Sequence, residues 1–382
     1  MHRRDLLALM AGTLLEPLAA ARAAADPHSL EEVDRAIERA LAATHSPGIV
    51  VALVRDGRTL FAKGYGYADV EARRRTRADT AFYVASVAKV VTATVLMSLW
   101  QERAFALDDP VAPRLDFPLS HPRYPKVPIT FRQLLTHTSG ISDQQLSALA
   151  PSASPPPLRD FLISYLTPSG QSYDPERSFG SAMPGKAWSY CNVGYALLGY
   201  LAGRVGPDPL DSASKVRLFG PLGMTNTAWR YEGLKKEEVA VGYEFRDGQL
   251  KPLPRPSYPD WPDGLLVTSA ADFAKLLGVF TQGRGRILQQ ETVSAMLVPD
   301  PAIVDEHDPF VRQALMWELH SNHGTTLATK SGNDGGATAF VAMDPVHHTA
   351  VLIFANVTSS PEMNALFQGE LTQLLLAKAS QT

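Results

Sequence analysis

Thiols are nearly absent from this chain: its one cysteine is Cys191. No disulfide can form within it, and no cysteine near its start can carry a lipid. Long runs of one charge sign are also missing, with Lys+Arg 36 against Asp+Glu 39 and a net charge of −3. Without a basic surface to displace counterions, nucleic acid is not an expected partner. Beyond the first residues, no segment stays apolar for the roughly 20 residues that cross a bilayer. There is no Gly-x-Ser-x-Gly elbow, no His-Glu-x-x-His, and no Walker or dinucleotide glycine pattern. The ten histidines show no metal-ligand spacing. His347-His348 sits in a hairpin turn, where solvated polar residues are the plain expectation. Neither a cofactor nor a metal is expected.

Hydrophobic residues make up 45% of the 382 positions and charged residues 20%, enough apolar mass for a true core without disulfides. The first 25 residues read as an export signal. Arg3 and Arg4 precede a mostly apolar stretch from Leu6 to Leu15, and Ala21-Arg22-Ala23 and Ala23-Ala24-Ala25 offer small-x-small cleavage sites. The Arg-Arg pair suggests the twin-arginine route, although the following residues fit it loosely. An exported, periplasmic, monomeric protein is expected.

Ser29 and Glu32 form a capping box ahead of apolar positions Leu30, Val33, Ile37 and Leu41, which predicts a helix. Ile49 to Val54 and Thr59 to Ala62 flank Asp56-Gly57, a hairpin pattern. Ala339 to Met343 and Ala350 to Phe354 flank Asp344-Pro345 as a second hairpin, with a terminal helix from about Pro361 to Lys378. Between Ser86 and about Leu222 the patterns are helical, broken by Pro151 to Pro157. The stretch from Pro252 to Pro262 reads as a rigid, irregular loop. The order predicts an α+β fold: an antiparallel sheet flanked by N- and C-terminal helices, with a mostly helical region inserted.

The chemistry centres on Tyr83-Val84-Ala85-Ser86-Val87-Ala88-Lys89, followed by the helical run Val90 to Trp100. With a helix starting at Ser86, Lys89 lies one turn on and shares its face. A serine hydroxyl is a poor nucleophile until a base takes its proton, and a lysine can do so if burial and other cations lower its pKa. A helix N-terminus also favours anionic character on the serine oxygen. The plainer alternative is that Ser86 only caps the helix and Lys89 is solvated. Ser212 to Lys215 repeats the spacing, and there the solvated-face reading is preferred.

Two further motifs follow in order, Tyr190-Cys191-Asn192 and Lys330-Ser331-Gly332. With them the chain resembles the serine β-lactamase and penicillin-binding superfamily, in its branch of class C β-lactamases, D-alanyl-D-alanine carboxypeptidases and related esterases. His137-Thr138-Ser139-Gly140, Tyr195 to Gly199, Pro221 to Thr225 and Gly264 to Ser269 add to the likeness, which runs from about Leu30 to Leu375. It implies a β-lactamase/transpeptidase-like domain over residues 26–382, with a helical subregion at about 86–240. It further implies Ser86 as acyl-accepting nucleophile, Lys89 as its base partner and Tyr190 as proton shuttle. Asn192 would bond Lys89 and a substrate amide. Lys330 and Ser331 would receive a substrate carboxylate, with Gly332 completing that motif. The N–H groups of Ser86 and Asn333 would form the oxyanion hole. His137 to Gly140 reads as a structural turn. Lys-Ser-Gly stands where many esterase-like relatives carry His-x-Gly, and the lysine argues for carboxylate-bearing substrates: β-lactams or peptidoglycan peptides ending in D-Ala-D-Ala. An esterase with other substrates, or a silent penicillin-recognising sensor, are the alternatives.

Overall fold

The computed structural model describes residues 27–146, 154–282, 287–300, 311–322 and 325–381. The expected export signal lies outside these residues, as does Pro151 at the start of the Pro151–Pro157 break. Among the described residues no helix is long and apolar enough to cross a membrane.

The large sheet has eight strands: β1 (Gly48–Arg55), β2 (Arg58–Asp69), β3 (Arg74–Arg75), β4 (Val311–Gln313), β5 (Glu318–Asn322), β6 (Thr325–Asp334), β7 (Ala337–Asp344) and β8 (Thr349–Ala355). Their spatial order is β3-β2-β1-β8-β7-β6-β5-β4. The two ends of the chain meet at its centre, where β1 pairs antiparallel with β8 from Ile49↔Ala355 to Arg55↔Thr349. The hairpin expected at Asp56-Gly57 is present, with φ of 47° and 75° at those residues. Both angles suit the tight turn that matches the twist of the flanking strands.

Layers cover both faces of the central strands, which is why β1, β7 and β8 read as continuous apolar runs rather than alternating ones. Ile49, Val51 and Leu53 point to one side, where they meet Val33 and Ile37 of α1 (Pro27–Ala43) and Phe367, Leu371 and Leu375 of the C-terminal helices. Val50, Ala52 and Val54 point to the other side, into a larger core. That second layer holds α2 (Lys89–Trp100), α3 (Asn192–Val205) and α4 (Ala270–Thr281). Helix α2 is buried from Lys89 through Leu99, the pattern of a central helix. One expectation fails locally. Helix α1 starts at Pro27, so Ser29 lies within its first turn rather than at its boundary; proline is well suited to a helix's first turn.

A three-stranded sheet joins Ala81–Tyr83 to Val267–Ser269 and Thr227–Ala228. It carries the chain from the large sheet into the start of α2. Residues 261–263 form a short 3-10 turn that packs against α2, where the Thr92 hydroxyl donates to the Pro262 carbonyl at 2.6 Å.

Phe354 of β8 is fully buried and meets Phe273 of α4 edge to face, with ring centroids 5.7 Å apart. Phe354→Ala should cost about 3–5 kcal/mol by opening a cavity between sheet and helix layer. The urea midpoint reads this; a loss under about 1 kcal/mol would mean the layers close over the gap.

Candidate active site

The strand Ala81–Tyr83 turns sharply into a 3-10 segment, Ala85–Ala88, which leads directly into α2. Ala85 takes a left-handed φ of 44°, unusual for a residue with a Cβ. The helix therefore begins on a 3-10 turn rather than with Ser86 as its first α-helical residue. Ser86 is half-buried and lines a cavity of about 510 Å³ with Tyr83, Asn192, Tyr258, Asp263 and Asn333, among others.

Lys89 lies beneath it with no solvent exposure. Its Nζ is 3.1 Å from Ser86 Oγ, 2.7 Å from Asn192 Oδ1, 2.9 Å from the Asp263 carbonyl and 3.1 Å from Asp263 Oδ2. Asp263 is the residue that motif reading missed. It directly precedes the Gly264 to Ser269 stretch, but a lone aspartate carries no spacing signal for a contact formed across the fold. Its presence corrects an expectation. Burial does push the Lys89 ammonium toward neutrality, but the Asp263 carboxylate and the Tyr190 oxygen outweigh burial and hold its pKa above the usual range.

Tyr190 is half-buried, with its ring centroid 5.0 Å from Lys89 Nζ and 4.7 Å from Lys330 Nζ. Two cations thus flank one phenol. The loop that holds it is braced by groups whose part was not legible. Asp143 caps α3: one carboxylate oxygen accepts from the Asn192 N–H at 2.6 Å and the other from the Val193 N–H at 3.1 Å. A carboxylate suits the positive end of a helix. His137, expected as a plain turn residue, is buried and accepts the Cys191 N–H on Nδ1 at 3.1 Å. Burial, then Lys330 and Lys89, push its imidazole well below the usual range, so it is neutral and free to accept. Cys191 packs against Asp143, and burial holds its thiol well above the ordinary range.

Lys330 is 1% exposed and donates to Glu318 Oε1 at 2.7 Å. Burial raises the Glu318 carboxyl, yet Lys330 holds it well below the usual carboxylate range. Lys330, expected to receive a substrate carboxylate, already has a counter-charge in Glu318. Ser331 departs further. Side chains alternate along a strand, so with Lys330 turned toward Tyr190, Ser331 turns the other way. It lines a separate cavity of about 910 Å³ with Phe340, Gln368 and Thr372, beside the C-terminal helices. Gly332 faces the 3-10 turn: a Cβ there would stand 2.3 Å from the Val84 carbonyl oxygen and 3.0 Å from Ser86 N. Asn333 is exposed at the cavity wall, and beside it Asp334 Oδ2 accepts from the Tyr83 hydroxyl at 2.6 Å.

The other Ser-x-x-Lys copy is solvated as expected, with the Lys215 side chain 61% exposed and bound to Asp211 at 2.8 Å. Among the described residues no group of three His, Cys, Asp or Glu side chains is placed to hold a metal ion.

A sequence model of the Beta-lactamase family matches residues 33–371. Among curated relatives, Protein flp of Staphylococcus aureus (strain NCTC 8325 / PS 47) is 23% identical over 337 residues, 87% of this chain. The chain spans 64% of that relative's length. Among solved structures, the octameric penicillin-binding protein homologue from Pyrococcus abyssi is 27% identical, with a TM-score of 0.75 over 91% of this chain and 77% of that one. The β-lactamase/D-alanine carboxypeptidase from Pseudomonas syringae is 20% identical, with a TM-score of 0.72 over 92% and 99% of the two chains, a likeness of fold.

Gly332→Ala should push β6 off the 3-10 turn and shift Ser86. The reactivity of Ser86 toward an acylating probe should fall about 100-fold, the cost of misplacing a reacting atom by about 1 Å, and the overlap with the Val84 carbonyl should lower stability by about 1–3 kcal/mol. Unchanged reactivity would show that the turn absorbs the methyl group.

Proposed function

The chain belongs to the Beta-lactamase family, and from that premise we propose that it is a serine hydrolase acylated on Ser86. The observation that carries this reading is the 3.1 Å approach of Lys89 Nζ to Ser86 Oγ, beside a tyrosine flanked by two lysine ammonium groups. Ser86 Oγ attacks the substrate's acyl carbon, its proton passes into the Lys89–Tyr190 pair, and Tyr190 returns a proton to the leaving group. The N–H groups of Ser86 and Asn333 hold the developing oxyanion, at roughly 3–4 kcal/mol for each donor. Water then cleaves the acyl-enzyme. Export to the periplasm and action as a monomer belong to the same proposal.

The substrates proposed first are β-lactams and D-Ala-D-Ala peptides, because a lysine occupies the place where a carboxylate would be received. A second reading, an esterase for uncharged acyl groups, is favoured by the Lys330–Glu318 pair, which leaves that lysine little net charge to offer. Intact Ser86, Lys89, Tyr190 and Lys330 speak against a silent sensor.

A fluorescent penicillin should label the purified protein covalently and leave Ser86→Ala unlabelled; label retained in the variant would remove Ser86 as nucleophile. Lys330→Ala should lower kcat/KM for nitrocefin and a D-Ala-D-Ala peptide about 10-fold more than for a p-nitrophenyl ester, since charged contacts are worth about 1.5–3 kcal/mol. Equal losses would favour the esterase reading.

A further inference from the structure

The cavity beside Ser86 is acidic. Asp260, Asp263 and Asp334 all line it, and none of its described lining residues is basic. Asp263 is engaged by Lys89, with 3.1 Å between Oδ2 and Nζ. The other two line the cavity without a cation. Asp334 accepts from neutral donors: the Tyr83 hydroxyl at 2.6 Å, the Gly335 N–H at 2.7 Å and the Tyr258 hydroxyl. Asp260 is the less satisfied of the two. It is 5% exposed, and among the described residues no side chain donates a hydrogen bond to its carboxyl. A buried polar group that lacks a donor carries a penalty, and a ligand that brings a donor removes it.

Strand β6 sets where such a ligand lies. Lys330, Gly332 and Asp334 alternate onto one face of it. Gly332 stands against the Ser86 turn, where a Cβ would be 3.0 Å from Ser86 N. Lys330 lies beside the Tyr190 ring and Asp334 meets Tyr83. At about 3.3 Å of rise per residue, each is about 7 Å along the strand from Gly332, in opposite directions. A substrate whose reacting carbon sits at Ser86 therefore has one half toward Lys330 and the other toward Asp334. Tyr190 serves the leaving group, so the half toward Lys330 is the leaving group and the half toward Asp334 is the acyl group. The cavity on the acyl side, about 510 Å³, has room for a long side chain.

We propose that the acyl half of the substrate carries an ammonium group, on a side chain like that of lysine, and that Asp260 and Asp334 receive it. This rests on the serine-hydrolase reading and deepens it by naming the acyl group. Tyr258 ties the two carboxyls to one place, since its hydroxyl bonds Asp334 and feels the charge of Asp260 as well. An ammonium ion brings three donors, enough for both carboxylates and one further oxygen. Leu146, Pro155 and Phe161 give the cavity an apolar lining, along which the methylene groups of such a side chain can lie. Burial and the charge on Asp263 push the Asp260 carboxyl up to about 8. An ammonium beside it favours the carboxylate and draws it down again. The balance of charge agrees. Lys89 offsets Asp263 and Glu318 offsets Lys330, which leaves Asp334 as the unbalanced charge of the cavity.

The test compares kcat/KM for the p-nitrophenyl esters of Nα-acetyl-lysine and Nα-acetyl-norleucine, in both enantiomers and near neutral pH. The two side chains differ by an ammonium in place of a methyl group. In the better-used enantiomer the lysine ester should be favoured by about 10-fold or more, the worth of one hydrogen bond between charged groups. Equal rates in both enantiomers overturn the proposal, and that comparison needs no variant to fold. In Asp260→Asn and in Asp334→Asn the preference should fall toward one; a preference that survives in both variants overturns the assignment. The second arm needs no turnover. Ligand-observed NMR gives the dissociation constants of Nα-acetyl-lysine methylamide and its norleucine counterpart on the wild type, and the lysine compound should bind about 10-fold tighter. Equal binding overturns the proposal. Tighter lysine binding by a protein that neither ester acylates would uphold the ammonium site and remove the acyl-enzyme reading. Acylation of Ser86 by both esters at equal rates would do the reverse.

Discussion

An ammonium group with no exposure to water has to be met entirely by protein, and Lys89 is such a group. The cost of taking one charge out of solvent is several kcal/mol even after relaxation, and it is recovered only when every proton finds an acceptor. Meeting that demand ties together parts of the chain that are distant in sequence. Ser86 arrives from a strand-to-helix turn, Asn192 from the first residue of α3, and Asp263 from a 3-10 turn before a small sheet. The convergence of these segments makes the cavity; the cavity is not a gap left over between layers.

A second buried pair repeats the same physics beside the same Tyr190 ring. Lys330 and Glu318 come from paired strands, with Glu318 opposite Thr329 in the ladder. Together the two lysines enclose the Tyr190 ring and set the state of everything behind it. His137 is neutral because burial and two neighbouring cations disfavour another proton. A neutral imidazole can accept a backbone N–H where an imidazolium could only donate. The Cys191 amide is held by that acceptor, and the tyrosine beside it is held in turn. Acid–base chemistry and loop placement are thus the same electrostatic arrangement seen from two sides.

What was legible in the sequence follows from this distinction. Residues tied to a local pattern could be read: Ser86 and Lys89 by their spacing, Tyr190 and Asn192 by their triplet, the hairpins by apolar runs around Asp56-Gly57 and Asp344-Pro345. The sheet could be inferred because the first and last apolar runs needed partners that the helical middle did not offer. Asp263, Glu318 and Asp143 could not be read. Each is a lone acid whose role exists only once a distant segment folds against it. Ser331 is a different case, since the two-residue period of a strand requires it to oppose Lys330 whatever the motif implies. Ser29 lies within α1 because a helix boundary is set by the first residue that can enter it, and Pro27 can.

The chain contains its own control for how much a motif says. Ser212 and Lys215 have the same spacing as Ser86 and Lys89, where a short α-helix runs into a π-helical turn. Yet Lys215 is 61% exposed and spends its charge on Asp211 one turn away. Such a pair is worth a few tenths of a kcal/mol and is screened by salt. Nothing about the spacing differs between the two copies. The difference is that α2 is buried on all sides, so its lysine must draw partners from elsewhere, and those partners are the groups that make a serine reactive. Burial therefore turns a recurrent four-residue pattern into a site.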